Sequence, residues 1–240
     1  MAWNREQIDQ VALSSAGADY AAFERIGLSE MEGARVLDVG CFDGFNTLLK
    51  FAPYQGVRQV VGIDPSGEAI ALACAATSDE RFLWRQCSFE DFDPDDDLFD
   101  MVYLAHTFQH LPDKAAAAAK AFACLKPGGF VVIKTVDDSL KASWPDPDGI
   151  MRQVMAFYED RVRATKPHTR HTDRNNGAKC YGLLCDAGFE GVSIDVRHAT
   201  TAGLGRDERL ACFERMTYFR KPSPEDAEAV QRMGELLAQW

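Results

Sequence analysis

Two short segments carry the residue types that hold a nucleoside. Leu37-Asp38-Val39-Gly40 runs into Cys41-Phe42-Asp43-Gly44, and Val61-Gly62-Ile63 ends at Asp64, 24 residues after Gly40. Glycines let the backbone turn tightly and approach a ligand, and an acidic group about 20 residues further on accepts hydrogen bonds from a ribose. A carboxylate suits two vicinal hydroxyls because it offers two acceptor oxygens. Gly-x-x-x-Gly alone reads equally well as a sharp βα turn. A dinucleotide site needs Gly-x-Gly-x-x-Gly, so that a pyrophosphate can sit on a helix N-terminus. Cys41-Phe42 breaks that run, and Phe42 would crowd a diphosphate.

Other polar residues invite a weaker reading. His106 follows an apolar strand pattern at the place where open α/β sheets bind ligands, and an imidazole is poised to take a proton near neutral pH. General-base catalysis and packing against the ligand are both open for it. His110, before Leu111-Pro112, reads as a structural group that satisfies backbone at a helix start. His168, His171 and Asp173 lack a clear third ligand of metal type and lie amid Arg170 and Arg174, so they read as a solvated loop with no metal. Trp144 and Tyr158 are candidates to line a pocket or, more simply, to fill a core.

Short apolar strands alternating with amphipathic helices position these groups, the pattern of a parallel sheet covered on both faces. Strands are expected at Arg35–Val39, Gln59–Asp64, Phe82–Cys87, Asp100–Leu104, Phe130–Thr135 and Gly191–Val196. A final antiparallel strand is placed at Ala211–Arg220, which makes seven. Helices are expected over 5–26, Asn46–Phe51, Gly67–Ala76, Lys114–Leu125, Ile150–Arg163, Ala178–Ala187 and Pro222–Trp240, the last with Ser223 as N-cap. The acidic stretch Asp91–Asp97, a loop over 137–149 and a polar loop Thr165–Asn176 join them. The expected fold is α/β, a Rossmann-like doubly wound, mostly parallel seven-stranded sheet with a helical and loop roof over the substrate.

From Ala34 to Ile194 the chain resembles the class I S-adenosylmethionine-dependent methyltransferases, in particular small-molecule enzymes of the ubiquinone-biosynthesis type. Val36 to Cys41 matches the first motif, with Phe42 where glycine is common and Asp43-Gly44 restoring the pattern. Val61-Gly62-Ile63-Asp64 matches the second motif. Phe99 to Val102, His106 to Asp113, Leu125-Lys126-Pro127-Gly128-Gly129 and Ala187-Gly188-Phe189 follow in the family's order. The resemblance implies S-adenosylmethionine as cofactor, S-adenosylhomocysteine as product, and SN2 methyl transfer to a small-molecule acceptor. It implies cofactor contacts from Asp38, Gly40, Cys41, Phe42, Gly44, Asp64, Pro65, Ser88, Phe89 and Ala105, with Ser88 and Phe89 bordering the adenine. His106 is the candidate catalytic base. The carboxylate expected toward the adenine amino group is missing from Cys87-Ser88-Phe89-Glu90-Asp91.

Composition sets outer limits. A net charge of −11 argues against nucleic-acid or membrane surfaces, both of which call for basic patches. Seven cysteines without a Cys-x-x-Cys pair suggest neither a disulfide framework nor a zinc knuckle, and suit a reducing cytoplasm. The chain reads as one methyltransferase domain over 1–240: a cap helix over 1–33, a cofactor core over 34–136, a substrate-roof insertion over 137–176 and a completion of the sheet with a helix over 177–240. A cofactor-binding regulatory domain without turnover, a nucleotide-dependent oxidoreductase and an RNA methyltransferase remain as alternatives.

Overall fold

The computed structural model describes residues 5–94, 97–141, 148–163, 170–197, 200–218 and 221–239. Contacts divide the chain into two compact units, Met1–Thr135 with Gly177–Ile194, and Val136–Asn176 with Asp195–Trp240.

The first unit holds the sheet. Strands β1 (Ala34–Val39), β2 (Val57–Asp64), β3 (Phe82–Gln86), β4 (Phe99–Ala105) and β5 (Leu125–Lys134) lie all parallel in the order β3-β2-β1-β4-β5. Helices α1 (Arg5–Arg25), α2 (Phe45–Phe51), α3 (Gly67–Ala76), α4 (Lys114–Ala123) and α6 (Gly177–Asp186) accompany them. Strand β1, buried at every position, is central because it is apolar on both faces.

Residues alternate between those faces. On one, Leu37, Val39, Val61, Ile63, Val102 and Leu104 pack with Ala117, Ala118 and Ala121 of α4 and Leu184 of α6. On the other, Val36, Val60, Met101 and Tyr103 meet Phe23 of α1 and Phe51 of α2. Phe23 stacks on Phe51 with ring centroids 5.2 Å apart, and Tyr103 meets both rings edge-on. The register makes a row across this second face, Trp84–Gly62–Asp38–Tyr103–Val132. Gly62 is required there: a Cβ would lie 2.6 Å from the Trp84 ring. A Cβ at Gly44 would come within 2.9 Å of the same ring, so two glycines make room for one indole.

The second unit contains α5 (Ile150–Phe157), which continues into a π-helical turn, Tyr158–Val162, together with α7 (Arg206–Tyr218) and α8 (Ala227–Ala238). Ile150, Val154, Tyr158 and Val162 pack against Met233 and Leu236. Tyr158 is thus a core residue, while Trp144 and His168 lie outside the described residues. Beside α5, Asp138, Ser139, Met155, Ala156, Glu159 and Asn175 line a cavity of about 230 Å3.

The parallel Rossmann-like sheet is as expected, but it has five strands among the described residues, not seven. Gly191–Val196 forms no strand: Ile194 and Val196 are exposed and pair with no edge. Ala211 to Tyr218 belongs to a helix, which Arg206-Asp207-Glu208 opens with acidic residues suited to a helix start; Phe219 and Arg220 lie outside the described residues. Asp226, not Ser223, caps the last helix by accepting the Ala229 N–H at 3.1 Å. Helix α4 stops at Ala123 because Leu125 already enters β5, which begins before Pro127-Gly128-Gly129 and absorbs it at a register shift.

Candidate functional site

The site residues converge at the carboxyl edge of the sheet, where β1, β2 and β4 end. After Val39 the chain turns through Gly40 (φ +78°), Phe42 (φ +51°) and Gly44 (φ +79°) into α2. Glycine adopts left-handed backbone freely, but Phe42 does so only when its surroundings fix it. Asp64 supplies the restraint: one carboxylate oxygen accepts the Phe42 N–H at 3.1 Å, and the other accepts the Ser66 N–H at 2.9 Å. The second bond, with the Ser66 hydroxyl capping α3 on Ala69 N–H, sets how the chain leaves β2 around the exposed Pro65.

Asp38 does similar work one layer down. It is 2% exposed and accepts the Thr47 hydroxyl at 2.5 Å, which ties α2 to β1. Burial pushes its carboxyl up to about 6 against the pull of Thr47 and Lys50. Burial also raises Asp64, offset in part by its two backbone donors. The Cys41 thiol, buried and facing Asp38, Asp64 and Asp43, is held far above the usual thiol range, so it stays protonated and unreactive.

Five amides of the turn are already committed. The N–H groups of Gly40 and Cys41 both go to the Ile63 carbonyl, at 2.8 and 3.1 Å. Phe42 donates to Asp64, Gly44 to the Cys41 carbonyl and Phe45 to the Asp43 carboxylate. A pyrophosphate asks for such amides and finds these five spent. What the turn retains is acceptor oxygen and negative charge, from Asp38, Asp43 and Asp64. This negative field, from buried Asp38 and Asp43 and half-buried Asp64, matches a ligand that brings hydroxyl and ammonium donors and a positive centre.

The opposite wall comes from β4. Ala105 pairs with Lys134 at the strand's end, and His106 follows with φ +57°, its N–H donating to the Lys134 carbonyl at 2.7 Å. Thr107 reaches back toward β1, and a Cβ at Gly40 would lie 2.2 Å from its hydroxyl oxygen. Gly40 is therefore demanded by the protein's own packing as well as by any ligand. Gln109 is buried and accepts the Thr135 hydroxyl at 3.2 Å, and its amide lies 3.1 Å from the His110 ring. His110 thus belongs to a structural 3₁₀ turn, Phe108–His110.

At the end of β3, Ser88 is half-buried and its hydroxyl donates to Asp91 at 2.7 Å. The Phe89 ring lies in the core with Phe92 and Phe99, so only its backbone faces the edge. Asp38, Gly40, Cys41, Phe42, Gly44, Asp64, Pro65, Ala105 and His106 are gathered at one edge. Ser88 and Phe89 follow the end of β3, on the far side of β2. In the second unit His171 is exposed, and Asp173 caps its own turn by accepting the Asn175 N–H at 2.9 Å.

A family model described as a methyltransferase domain matches residues 15–194. The chain belongs to the methyltransferase-domain family. This family is S-adenosylmethionine-dependent. Within it, the chain is similar to the ubiquinone biosynthesis O-methyltransferase of Alkalilimnicola ehrlichii, 34% identical over 118 residues that cover 48% of this chain and 47% of that protein. The chain spans about half the length of the curated relatives it matches. Two solved structures share the fold. Haemonchus contortus phosphoethanolamine N-methyltransferase 2, in complex with S-adenosyl-L-methionine, aligns with a TM-score of 0.58 at 17% identity, over 93% of this chain and 48% of that one. The YcgJ protein of Bacillus subtilis aligns with a TM-score of 0.54 at 18% identity, over 90% and 87% of the two chains.

Several residues of this methyltransferase fold escaped the motif reading. Thr47, Trp84 and Thr107 shape the turn, and Asp19, Lys50, Tyr103 and Lys134 form a buried cluster beneath it. One signal for Asp19 was available. Ala12, Ala16, Asp19 and Phe23 share one helical face, and all four are buried.

Proposed function

We propose that the chain transfers the methyl group of S-adenosylmethionine to a small-molecule acceptor. The observation that carries this reading is a turn in which the Gly40, Cys41, Phe42, Gly44 and Phe45 amides are already spent and three carboxylates, Asp38, Asp43 and Asp64, are gathered. The ribose hydroxyls of the cofactor suit the second lone pairs on the Asp64 oxygens. Its ammonium and sulfonium suit the negative field of Asp38, Asp43 and Asp64. Gly40, Cys41, Phe42, Gly44 and Pro65 would supply backbone around it, Ala105 the far wall, and Ser88 with the Phe89 backbone the adenine end.

The cofactor supplies an electrophilic methyl with a good leaving group, so the protein's work is alignment and exclusion of water. His106 stands at the end of β4, where its imidazole can take the acceptor's proton if the acceptor must be deprotonated. The family resemblance supports assigning acceptor choice to the segment over 137–176. The names of the curated relatives make an oxygen acceptor the first to try, and the charge of −11 speaks for a small molecule over a nucleic acid. No helix among the described residues is long and apolar enough to cross a membrane.

Calorimetry with S-adenosylmethionine and S-adenosylhomocysteine tests the reading first, followed by mass spectrometry of candidate acceptors incubated with the protein. Micromolar binding and acceptor-dependent formation of S-adenosylhomocysteine are expected. Binding of NAD with no binding of either adenosyl ligand would reject it. Binding without turnover on any acceptor class would favour a regulatory domain.

A further inference from the structure

Asp19 sits on the buried face of α1, 2% exposed, and meets three partners on three other elements. One oxygen accepts the Tyr103 hydroxyl of β4 at 2.7 Å. The other meets Lys134 Nζ, at the end of β5, at 2.5 Å and Lys50 Nζ, in α2, at 3.3 Å. Lys134 Nζ also donates to Ser15, one turn earlier in α1, at 3.1 Å. Lys50 is fully buried, lies over the Tyr103 ring and bonds Asn46.

Each lysine leads to one wall of the site. The Lys134 carbonyl accepts the N–H of His106, so the residue whose side chain Asp19 holds also fixes the left-handed backbone at His106. Lys50 lies three residues after Thr47, whose hydroxyl ties α2 to Asp38 and so sets the Gly40–Gly44 turn. Apolar groups would fasten a helix to a sheet at less desolvation cost than a buried ion cluster. What ions add is a demand for one arrangement: without Asp19 the buried Lys50 and the half-buried Lys134 ammonium groups are left facing each other. Their repulsion is already felt, since Lys134 joins burial in lowering Lys50 to about 8.

We infer that Asp19 is a positioning residue of the cofactor site, joining α1 to the β5 end that holds the His106 backbone and to the helix that follows the glycine turn. The inference rests on the cofactor reading above and deepens it, because it makes the N-terminal helix a working part of the site.

Calorimetry with S-adenosylhomocysteine on the folded chain tests it, with thermal unfolding measured alongside. Asp19→Asn should weaken binding at least about tenfold, and Asp19→Glu should recover most of that loss. Tyr103→Phe, which removes one hydrogen bond and strands no charge, should weaken binding about threefold. Leu28→Ala, in the 3₁₀ turn Leu28–Glu30 and part of the core, should lower the thermal midpoint yet leave affinity within about twofold. Asp19→Asn binding within about twofold of wild type would overturn the inference, as would a Leu28→Ala loss of affinity equal to that of Asp19→Asn. If Asp19→Asn does not fold, unchanged affinity in Tyr103→Phe overturns it. A wild-type chain that binds no S-adenosylhomocysteine would reject the cofactor reading itself and this inference with it.

Discussion

The Phe42 amide and the Asp64 carboxylate lie 3.1 Å apart, and their hydrogen bond joins the tip of the first βα turn to the end of the neighbouring strand. Asp64 thus has two tasks in the proposed function. It shapes the turn through one lone pair on each oxygen and offers the other pair to a ribose.

Removal of Asp64 should therefore cost more than a ribose contact. Asp64→Ala should lose about 1.5–3 kcal/mol of cofactor binding for a charge-assisted hydrogen bond, a weakening of roughly tenfold to 150-fold. Asp64→Asn keeps an acceptor for Phe42 and should lose less. Titration calorimetry of both variants gives the ordering, and equal affinity of Asp64→Ala and wild type would remove Asp64 from the site.

Gly62 and Trp84 form a pair whose sizes are matched. Gly62→Ala places a methyl 2.6 Å from the indole and should destabilise the chain by about 1–3 kcal/mol through overpacking. Trp84→Leu in that background should return part of the loss, because the smaller side chain vacates the contact. Denaturant unfolding of the two single variants and the double variant measures the coupling, and strict additivity would contradict the packing described.

Lys50 makes stability depend on pH in the alkaline range. Its folded-state value, about 8, lies below the ordinary lysine value near 10.5, so between these limits the unfolded chain binds more protons than the folded one. Stability from this group therefore rises as pH climbs from 8 to 10.5 and is lost as pH falls through 8, by up to ~3 kcal/mol. Asp38 acts in the opposite sense lower down. Its folded value, about 6, exceeds the ordinary carboxylate value, so its contribution is present below pH 4 and is lost as pH rises to 6. Chemical denaturation of wild type and Lys50→Met at pH 8 and pH 10 should show a larger rise in the wild type.

His106 calls for a substitution that respects its backbone. Asparagine tolerates left-handed φ better than alanine, so His106→Asn removes the imidazole with the turn kept. If the imidazole serves as general base, turnover should fall by about 10²–10⁴-fold with cofactor affinity little changed. The rate of the parent should rise with pH through a histidine-like value, and this limb should vanish in the variant. Loss of affinity with an intact pH profile would assign His106 to packing.

The motif residues were legible because their signals are local. A glycine turn followed by an acidic strand end names β1, β2 and Asp64 without any knowledge of the tertiary fold. The two missing strands were misjudged for the converse reason. Val192, Ile194 and Val196 alternate like a strand, but alternation does not supply a neighbour, and pairing decides. The segment from Ala211 offers a strand that would complete the sheet, but the acidic start at Asp207 and Glu208 favours a helix. Asp19 and Lys134 lie 115 residues apart, and nothing local to either of them or to Lys50 shows that the fold brings them together. Phe89 was legible as a position near the edge but not as a side chain turned into the core.

The strand order also has a kinetic consequence. Strands β1, β2 and β3 are joined by local connections, whereas β1 meets β4 only across 65 residues, as in the Arg35 amide bond to Asp100. Closing that long loop costs chain entropy before any contact repays it. The glycine turn and Asp64 can therefore assemble early, and the wall of His106 and Thr107 arrives last. Contacts across that seam, such as Thr107 against Gly40, should have low φ-values in folding, so weakening them should hasten unfolding more than it slows folding.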